Sequence, residues 1–516
     1  MGVQQRDLPT IFRQAVADHR AGKLPEAEAG YRQILAVQPN HADSLHYLGL
    51  IAAQIGRHDL AAELIGRAVA LRPGMPDYLN NLGLSLLALG RAAEAADAHR
   101  RAAVLAPGMA EAHNNLGNAL RAQDRPAEAE ASYRQALALA PAMAEAHNNL
   151  GAALADLDRL EEAEQSYRAA LARWQDYPEA NNNLGNTLRA LGRWQEAIAQ
   201  YRQAIALAPD YAEAHYNLGW SLLLAGEYPE GWAEFEWRWR IRGGQVARDL
   251  PAPFWAGEPL DGRTLLFHAE QGAGDTFMFC RYVALAARRT RVVLEAPAPL
   301  VGLLSRLPGL AGIVPAGAAL PPFDLHCPLL SLPRAFGTVL ASVPAAVPYL
   351  TADPDRVAAW RERLKSIDGP RIGLVWAGNP TQRDDRRRSI PLAALAPLAT
   401  VPGATFISLQ KGRREAPPDG MRFFDWTDEL RDYDDTAALI EALDLVIGVD
   451  TGVVHLAGAL GRPVWVMNRF EPYFVWLTER DDSPWYPSLR QFRQLAPGNW
   501  SSVIESVRTA LAVREW

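Results

Sequence analysis

The segment with the most specific chemical pattern is Gly448-Val-Asp450-Thr-Gly-Val-Val-His455-Leu-Ala457. The apolar run before it predicts a buried strand that ends at Asp450, and the small pair that follows predicts that a helix begins at once. Backbone N–H groups in the first turn of a helix bind anions. Asp450 repels phosphate and is expected to accept hydrogen bonds from sugar hydroxyls, whereas His455 is either a ligand of one of these groups or a packed structural residue. The candidate phosphate ligands in this turn are Thr451, Gly452 and Val453.

A second candidate turn, Glu270-Gln-Gly-Ala-Gly-Asp275-Thr276, follows a strand predicted at residues 264–268. Its glycines open the turn so that Asp275 projects from the start of a helix predicted from Thr276 to about Arg288. A carboxylate in that position suits a general base for an acceptor hydroxyl. His268, at the end of the same strand, is the reserve base. The structural alternative is that Asp275 caps the helix.

The same glycines permit a dinucleotide-binding interpretation, with Glu295 at the end of the next predicted strand as the ribose ligand. That fingerprint requires Gly or Ala where Phe277 stands, because a larger side chain keeps the helix from packing tightly on the strand. A dinucleotide-dependent enzyme is therefore a rival hypothesis that the sequence disfavours.

The third segment is a strongly basic loop at residues 376–389, which follows another predicted strand. Guanidinium and ammonium groups suit phosphate oxygens, since they donate charge-assisted hydrogen bonds. The alternative is a solvated charged loop. A lysine at the following strand end favours the phosphate interpretation. The candidate ligands are Arg383, Arg388 and Lys411.

All three segments lie in a region, beginning near residue 250, where short β-rich runs alternate with helical stretches. This alternation predicts parallel sheets, whose ligands bind at the carboxyl ends of the strands. A proline-containing break at residues 348–354 divides the region into two lobes that face a cleft. The predicted strands are 264–268, 291–295, 371–376, 404–409, 445–448 and 463–467.

The first half of the chain repeats every 34 residues, which is typical of the tetratricopeptide repeat, a helix-turn-helix unit. Neither helix of a repeat can bury its apolar stripe alone, so the repeats are expected to stack. We count six full repeats and a seventh, divergent one that ends in the aromatic run Trp232–Arg240, predicted to cap or dock the array. The recurring Leu-Gly pairs are Leu48-Gly49, Leu82-Gly83, Leu116-Gly117, Leu150-Gly151, Leu184-Gly185 and Leu218-Gly219.

An asparagine also recurs on the first helix of successive repeats. Such a ladder of amides could pair with the backbone of an extended peptide. The alternative is that asparagine is common repeat sequence with a local structural role. In either case the array is predicted to be a recognition module. The residues are Asn81, Asn115, Asn149, Asn183 and Asn217.

Composition excludes several classes of protein. The net charge of -7 argues against nucleic-acid binding, and two cysteines without a CxxC pair argue against a disulfide framework or a structural zinc site. The first 20 residues carry charges and lack the apolar stretch of a signal peptide. Arg6 stands where N-myristoylation requires Ser or Thr. No run of about 18 apolar residues predicts a membrane span. We expect a reduced, cytoplasmic, multidomain protein.

The Asp-Thr-Gly-x-x-His-x-Ala run of residues 450–457, together with the turn at Asp275, resembles family 9 glycosyltransferases, the heptosyltransferases. Repeats joined to such lobes resemble O-GlcNAc transferases and, more closely, bacterial tetratricopeptide glycosyltransferases, some of which modify flagellin. The resemblance implies a GT-B fold of two Rossmann-type lobes and metal-independent, inverting transfer from a nucleotide-sugar without a cofactor. Asp275 would be the base, the amides of Thr451 and Gly452 would hold the donor diphosphate, and Asp450 would hold the sugar. The protein acceptor would bind the repeats.

The predicted domains are the repeats at 1–243, an acceptor-side lobe at 244–355 and a nucleotide-sugar lobe at 356–516. The first lobe has room for only a few strands. Asp432-Tyr-Asp434 matches the DxD of metal-dependent transferases, but it precedes a predicted helix and is interpreted as an N-terminal cap. The rival of another class is a non-catalytic scaffold with a degenerate transferase region.

Overall fold

The computed structural model describes residues 8–244, 246–381 and 385–514. The chain divides into two compact units, one ending at Pro209 and the other beginning at Asp210. The first unit contains six helix pairs, in agreement with the six predicted repeats. The helices are α1 (Leu8–Arg20), α2 (Leu24–Val37), α3 (Ala42–Gln54), α4 (His58–Leu71), α5 (Pro76–Ala88), α6 (Ala92–Leu105), α7 (Ala110–Arg121), α8 (Pro126–Leu139), α9 (Ala144–Asp156), α10 (Leu160–Arg173), α11 (Pro178–Ala190) and α12 (Trp194–Leu207).

The 34-residue signature is explained by close packing within each pair. The recurring alanine of the second helix is fully buried in all six repeats, at Ala27, Ala61, Ala95, Ala129, Ala163 and Ala197. The recurring glycine of the first helix faces an aromatic ring of the second helix in the middle of the array. A Cβ atom there would lie 2.5–2.8 Å from the ring, which only glycine avoids. The glycine–ring pairs are Gly117 with Tyr133, Gly151 with Tyr167, and Gly185 with Tyr201.

The second unit begins with the seventh, divergent repeat and continues into two parallel sheets. Its helices are α13 (Ala212–Leu224), α14 (Tyr228–Phe235), α15 (Ala273–Phe279), α16 (Tyr282–Ala287), α17 (Ala298–Leu304), α18 (Leu332–Ala335), α19 (Pro354–Leu364), α20 (Asp385–Arg388), α21 (Tyr433–Glu441), α22 (Gly452–Ala459) and α23 (Trp500–Ala512). Its strands are β1 (Leu265–His268), β2 (Val292–Ala296), β3 (Leu310–Pro315), β4 (Leu325–Pro328), β5 (Arg371–Val375), β6 (Thr405–Ser408), β7 (Phe423–Phe424), β8 (Leu445–Val449), β9 (Val464–Asn468) and β10 (Leu489–Arg493).

Each sheet contains a point at which the strand order reverses. The first sheet has the order β3-β2-β1-β4, and the second has the order β10-β9-β8-β5-β6-β7; every pair of neighbouring strands is parallel. The order reverses between β1 and β4 in the first sheet and between β5 and β8 in the second. Parallel α/β sheets bind ligands outside the carboxyl ends of strands at such reversals. The predicted parallel α/β region is therefore confirmed. Each sheet has one expected ligand-binding crevice, at the point where its strand order reverses.

The aromatic run after the seventh repeat packs against the α/β region, as predicted. The ring of Trp232 on α14 meets Phe474 edge-on, with 5.6 Å between centroids, and the indole N–H of Trp485 donates to the hydroxyl of Tyr228 at 3.0 Å. On α13, Trp220 contacts Tyr473 with 5.1 Å between centroids. The last repeat therefore belongs structurally to the second unit. The predicted domain boundaries at residues 243 and 355 remain predictions.

The sequence misplaced one helix and missed four strands. The helix predicted from Thr276 begins at Ala273 and is interrupted at residues 280–281, so that α15 and α16 are separate. Strands β3, β4, β7 and β10 were not predicted. Two of them lack a strong β signal, because β3 contains Ala-Gly-Ile and β7 has only two residues.

Candidate functional site

A cavity of about 730 Å³ opens at the carboxyl ends of β5 and β8 and is closed on one side by the turn before α15. Its position coincides with the strand-order reversal of the second sheet, and its volume suits a small organic ligand. Asp275, Asp450 and Lys411 all line it. The structure therefore brings together the three segments that the sequence singled out, although they are far apart along the chain.

Asp275 occupies the first turn of α15 and lines this cavity. The hydroxyl of Tyr473 donates to its Oδ1 at 2.9 Å. Burial raises the pKa of Asp275 above its usual value, and nearby Asp450 acts in the same direction, while the Tyr473 hydrogen bond and His455 offset this effect in part. A carboxylate whose pKa is raised is a stronger base and is better suited to accept a proton from a hydroxyl.

Asp450 lies at the end of β8 and is held by His455. The imidazole Nε2 is 3.5 Å from Asp450 Oδ1, and Nδ1 is 3.1 Å from the hydroxyl of Tyr486. The ring of His455, which is 4% exposed, also stacks on Trp476 with 5.0 Å between centroids. Although burial opposes ionisation, the contact with His455 keeps the pKa of Asp450 below its usual value. Two carboxyl groups in one cavity thus have pKa values displaced in opposite directions, a pattern that separates a base from a permanently charged ligand.

The glycines of the two turns, at residues 270–276 and 448–457, allow these turns to approach each other closely. A Cβ atom on Gly274 would lie 3.0 Å from His455 Cδ2 and 3.4 Å from the Cα atom of Gly452. Conversely, a Cβ atom on Gly452 would lie 3.3 Å from the backbone nitrogen of Gly274. This contact explains the Gly-Ala-Gly sequence without a dinucleotide, and Glu295, the predicted ribose ligand, does not line the cavity.

The start of α22 presents unused hydrogen-bond donors to the cavity. Thr451, Gly452 and Val453 all line it. Among the described residues, the N–H groups of Gly452 and Val453 have no backbone or side-chain acceptor, and the buried hydroxyl of Thr451 also lacks a partner. Donors at a helix N-terminus favour an anion. These features suit the predicted phosphate site.

A group of cations also lines the cavity. Arg388 contacts Asp385 at 3.3 Å and the carbonyl oxygen of Asp450 at 3.4 Å, and Arg413 contacts the other oxygen of Asp385 at 2.7 Å. Asp385 is buried and so fixes both guanidinium groups. Lys411 is exposed and donates to the carbonyl oxygen of Leu430. The cavity therefore contains both carboxylates and cations.

Two residues that the sequence predicts for the site, the reserve base His268 and the phosphate ligand Arg383, are not among the residues that line this cavity. His268, the reserve base, lies at the end of β1 but lines a separate cavity, where its Nε2 is 3.2 Å from Nδ1 of His326. The strand ends in the right region, but its last side chain points away from the cleft, so the reserve role is not retained. Arg383 lies outside the described residues.

The asparagine ladder has a structural role that the sequence left open. The side-chain amide of Asn115 donates to Asn80 at 3.1 Å, that of Asn149 to Asn114 at 3.0 Å and that of Asn183 to Asn148 at 3.1 Å, so each bond joins successive repeats. Asn81 contacts His46 at 3.0 Å in the same way, and Asn217 lies on α13 of the second unit. These half-buried amides use part of their hydrogen-bonding capacity internally. Peptide binding by the ladder remains a prediction.

The Asp-Tyr-Asp segment caps α21, as predicted. The carboxylate of Asp432 accepts from the backbone N–H of Asp435 at 2.9 Å and from Arg356 at 2.9 Å. Asp434 pairs with Arg306, which follows α17 of the first lobe. Both acids are therefore engaged in capping and in ion pairs.

Sequence reasoning missed four residues that shape the cavity. Tyr473 follows β9 in an irregular loop, and no motif marks it. Asp385 stands in a run of arginines, which is typical of a solvated charged loop. Arg413 and Arg431, which also line the cavity, lie in turns without periodicity. The basic run around Asp385 was the one signal that could have identified it as an ion-pair partner.

Comparison with protein families gives two matches. Tetratricopeptide repeat families match residues 12–76, 56–110, 114–178 and 185–226. Glycosyltransferase family 9 (heptosyltransferase) matches residues 432–466, which include the turn at Asp450. The chain thus contains tetratricopeptide repeats, for which protein–protein interaction is the suggested role, and a segment similar to family 9 glycosyltransferases.

Protein FlbA of Caulobacter vibrioides is 30% identical over 319 residues, which are 54% of this chain and 52% of FlbA. The chain therefore spans about half the length of this curated relative. Solved structures similar to parts of the chain include TTC0263, a tetratricopeptide repeat protein of Thermus thermophilus (26% identity, 35% of this chain and 99% of that one, TM-score 0.32). Another is Pseudomonas aeruginosa pilF (20% identity, 40% of this chain and 94% of that one, TM-score 0.36). Among the described residues, no helix has the length and apolar character needed to cross a membrane.

Proposed function

We propose that the chain is a glycosyltransferase of the GT-B type that transfers a sugar from a nucleotide-sugar to a hydroxyl of an acceptor. One observation carries the proposal: a single cavity is lined both by a carboxylate with a raised pKa and by a set of cations and backbone N–H groups that suit a phosphate. The similarity of residues 432–466 to family 9 glycosyltransferases supports the same reaction class.

In the proposed reaction, the acceptor hydroxyl attacks the anomeric carbon of the donor from the side of Asp275. The new C–O bond forms as the bond from the anomeric carbon to the phosphate oxygen breaks, and the proton passes to the Asp275 carboxylate. Such one-step displacement inverts the anomeric configuration. Asp450 accepts hydrogen bonds from the sugar. Proton transfer to a positioned base contributes about 10²- to 10⁴-fold to the rate of such reactions.

Stabilisation of the leaving nucleoside diphosphate is assigned to the first turn of α22 and to the cations of the cavity. The N–H groups of Gly452 and Val453, with Arg388 and Lys411, are preorganised for the charge that develops on the phosphate oxygen. In this proposal these groups supply the charge neutralisation that a divalent cation supplies in other transferases. Full activity in EDTA is the expected result, and loss of activity in EDTA would reassign the role of Asp432 and Asp434.

The proposed acceptor is a protein, such as a flagellin, recruited by the tetratricopeptide repeats. The first lobe has a sheet of four strands and little additional structure for acceptor recognition, which supports a role for the repeats. The rival from another class is a scaffold that binds a nucleotide without turnover.

Ligand-induced thermal stabilisation with ADP-, UDP-, GDP- and CMP-sugars and NAD tests donor binding. A ligand at 100-fold over its Kd stabilises the folded state by about 2.7 kcal/mol. We expect one nucleotide-sugar to stabilise the protein and Lys411→Ala to weaken that effect. Lys365→Ala, which removes a lysine that is 75% exposed and does not line the cavity, is the matched control. Stabilisation by NAD alone would favour the dinucleotide enzyme, and no stabilisation by any of these ligands would favour the scaffold.

A further inference from the structure

The seventh repeat packs against the loop that holds Asp275. This loop, residues 473–476, lies after β9 and ends in a short 3-10 turn. Its first side chain, Tyr473, donates a hydrogen bond to Asp275, and its second, Phe474, packs against both helices of the repeat, α13 and α14. The loop therefore joins the repeat to the candidate base through two successive residues.

One aromatic side chain of α13, Trp220, packs directly on Tyr473. The two rings meet edge-on, at an angle of 70° and with 5.1 Å between centroids, and Trp220 also meets Phe474 with 5.2 Å between centroids. Tyr473 lines the cavity at Asp275, whereas Trp220 does not. Trp220 can therefore influence the cavity only through the residues against which it packs.

The hydroxyl of Tyr473 is a permanent donor to Asp275. Burial and the neighbouring Asp275 raise the pKa of Tyr473 well above its usual value, so the hydroxyl keeps its proton. The two oxygen atoms are 2.9 Å apart, and such a hydrogen bond is lost when the donor moves away by about 1 Å. The bond favours the charged carboxylate and so offsets part of the raised pKa of Asp275. The position of the Tyr473 ring therefore affects both the orientation and the protonation of the candidate base.

The other titratable groups that face this pair lie on three elements. His455 on α22 lowers the pKa of Asp275, and Asp450 at the end of β8 raises it. Tyr216 on α13 faces Tyr473 and raises the pKa of that hydroxyl. His455 and Asp450 are held by contact with each other, 3.5 Å apart. A change at Trp220 is therefore expected to act on Asp275 through Tyr473.

The start of the turn that carries Asp275 is held by a separate contact. The guanidinium group of Arg238, in the 3-10 segment Glu236–Arg240 after α14, contacts Glu270 at 3.2 Å, and their side chains are only 4% and 2% exposed. Glu270 also accepts from the backbone N–H of Leu330 at 3.0 Å. Loss of the Trp220 ring should therefore leave the start of the turn in place.

We propose that the seventh repeat forms part of the candidate catalytic site, with Trp220 as a positioning residue that holds Asp275 through Tyr473. The inference rests on the proposed function, in which Asp275 is the base. Removal of the Trp220 ring lets Tyr473 withdraw from Asp275, which leaves the carboxylate misoriented and more easily protonated. The repeat then contributes to the rate of sugar transfer, separately from any contribution of the repeats to acceptor binding.

Thermal unfolding over a range of pH tests the link between Trp220 and Asp275 without any substrate. Each variant is compared with the same variant carrying Asp275→Asn. The difference in melting temperature grows with pH until Asp275 is fully ionised in the folded state, and then it levels off. Trp220→Leu should move this levelling point upward by at least about half a pH unit, because a weakened hydrogen bond raises the pKa of Asp275 further.

Two further variants show whether the effect passes through Tyr473. Trp220→Phe keeps an aromatic edge beside Tyr473 and should move the levelling point less than Trp220→Leu does. Tyr473→Phe removes the hydroxyl and should itself move the levelling point upward. Adding Trp220→Leu to Tyr473→Phe should then cause no further movement, because the hydrogen bond through which Trp220 acts is already absent.

Trp232→Leu is the matched control. Trp232 is a second tryptophan of the seventh repeat, and it contacts Phe474 with 5.6 Å between centroids and Phe279, at the end of α15, with 6.1 Å. Within the described part of the chain, its ring has no contact with the ring of Tyr473. Trp232→Leu should therefore lower the melting temperature without moving the levelling point, which separates general loosening of the repeat from the effect on Asp275.

Turnover tests the catalytic consequence. With the nucleotide-sugar that stabilises the protein, Trp220→Leu should lower turnover by about tenfold or more and leave the Kd of the donor within about twofold, because the donor-binding groups lie elsewhere in the cavity. The acidic limb of the pH–rate profile should move upward, as the levelling point does.

Three results would overturn the proposal: a levelling point that Trp220→Leu moves no further than Trp232→Leu does, one that Trp220→Leu still moves in the Tyr473→Phe background, or one that moves while turnover stays unchanged. If the unaltered chain turns over no nucleotide-sugar, the proposed function fails, whereas the melting curves still decide whether Trp220 positions Asp275.

Discussion

Replacing Gly151 by alanine tests the physical explanation of the repeat signature. Gly151 lies inside α9, and an added Cβ atom would be 2.8–2.9 Å from three atoms of the Tyr167 ring. Tyr167 is 3% exposed and packed on all sides, so the ring has little room to move. Overpacking of this kind costs about 1–3 kcal/mol, and the better helix propensity of alanine returns about 0.5–1 kcal/mol. We expect a net loss of roughly 0.5–2 kcal/mol.

Gly66 provides a matched control, because it lies inside α4 and an added Cβ atom would meet nothing within 4 Å. Gly66→Ala should therefore gain about 0.5–1 kcal/mol from helix propensity alone. Amide hydrogen exchange measures the opening free energy of each helix separately in the full chain. The two variants should change local stability in opposite directions, and combining Gly151→Ala with Tyr167→Ala should remove the cost attributed to the clash. If Gly151→Ala stabilises α9 as much as Gly66→Ala stabilises α4, ring packing does not explain the recurring glycine.

Three further outcomes are expected. Asp124 has a left-handed backbone (φ 58°) at a position where most other repeats have glycine. Asp124→Gly should therefore stabilise α7 and α8 by about 0.5–1 kcal/mol in hydrogen exchange, and destabilisation would contradict the strain argument. Burial lowers the pKa of His99 to about 4. Between pH 4 and 6.5 the folded state therefore binds fewer protons than the unfolded state. Local stability should fall by about 1 kcal/mol per pH unit when the solution is acidified through this range. His99→Tyr, the residue of neighbouring repeats, should remove that dependence, and an unchanged slope would show that another group causes it. Asp275 has a raised pKa, so its ionisation destabilises the folded state as pH rises. Asp275→Asn should therefore raise the melting temperature more at pH 7 than at pH 4. An increase at pH 7 that is equal to or smaller than the increase at pH 4 would refute the assigned direction of the pKa shift.

The sequence predicted best where periodicity or a strand-to-helix turn constrains the backbone. The 34-residue period predicted the helix pairs because the buried alanine and the ring-facing glycine recur at fixed positions. The turn at Asp450 was predicted because an apolar strand must end where a helix begins, and the structure places that residue in the cavity. These features depend on residues that are close together along the chain, so one amino-acid sequence is enough to predict them.

Contacts between distant segments were not predictable in the same way. Tyr473 reaches Asp275 from 198 positions away, in a loop without a motif. The direction of His268 was also missed, because all four residues of β1 are buried and the sequence pattern does not indicate which face meets the cleft. The Gly-Ala-Gly turn permits a dinucleotide-binding interpretation, whereas its closest neighbours are residues of the turn at Gly452.

The central claim is that Asp275 accepts a proton from the acceptor in a cavity that binds a nucleotide-sugar. The most direct measurement is release of nucleoside diphosphate from the nucleotide-sugar that stabilises the protein, with cell extract as the source of acceptor. Asp275→Asn should bind this donor with unchanged affinity and lose about 10²- to 10⁴-fold in turnover, while Asp419→Asn, an exposed carboxylate of the second lobe, should retain full turnover. Turnover by Asp275→Asn equal to that of the unaltered chain would contradict the assignment of the base.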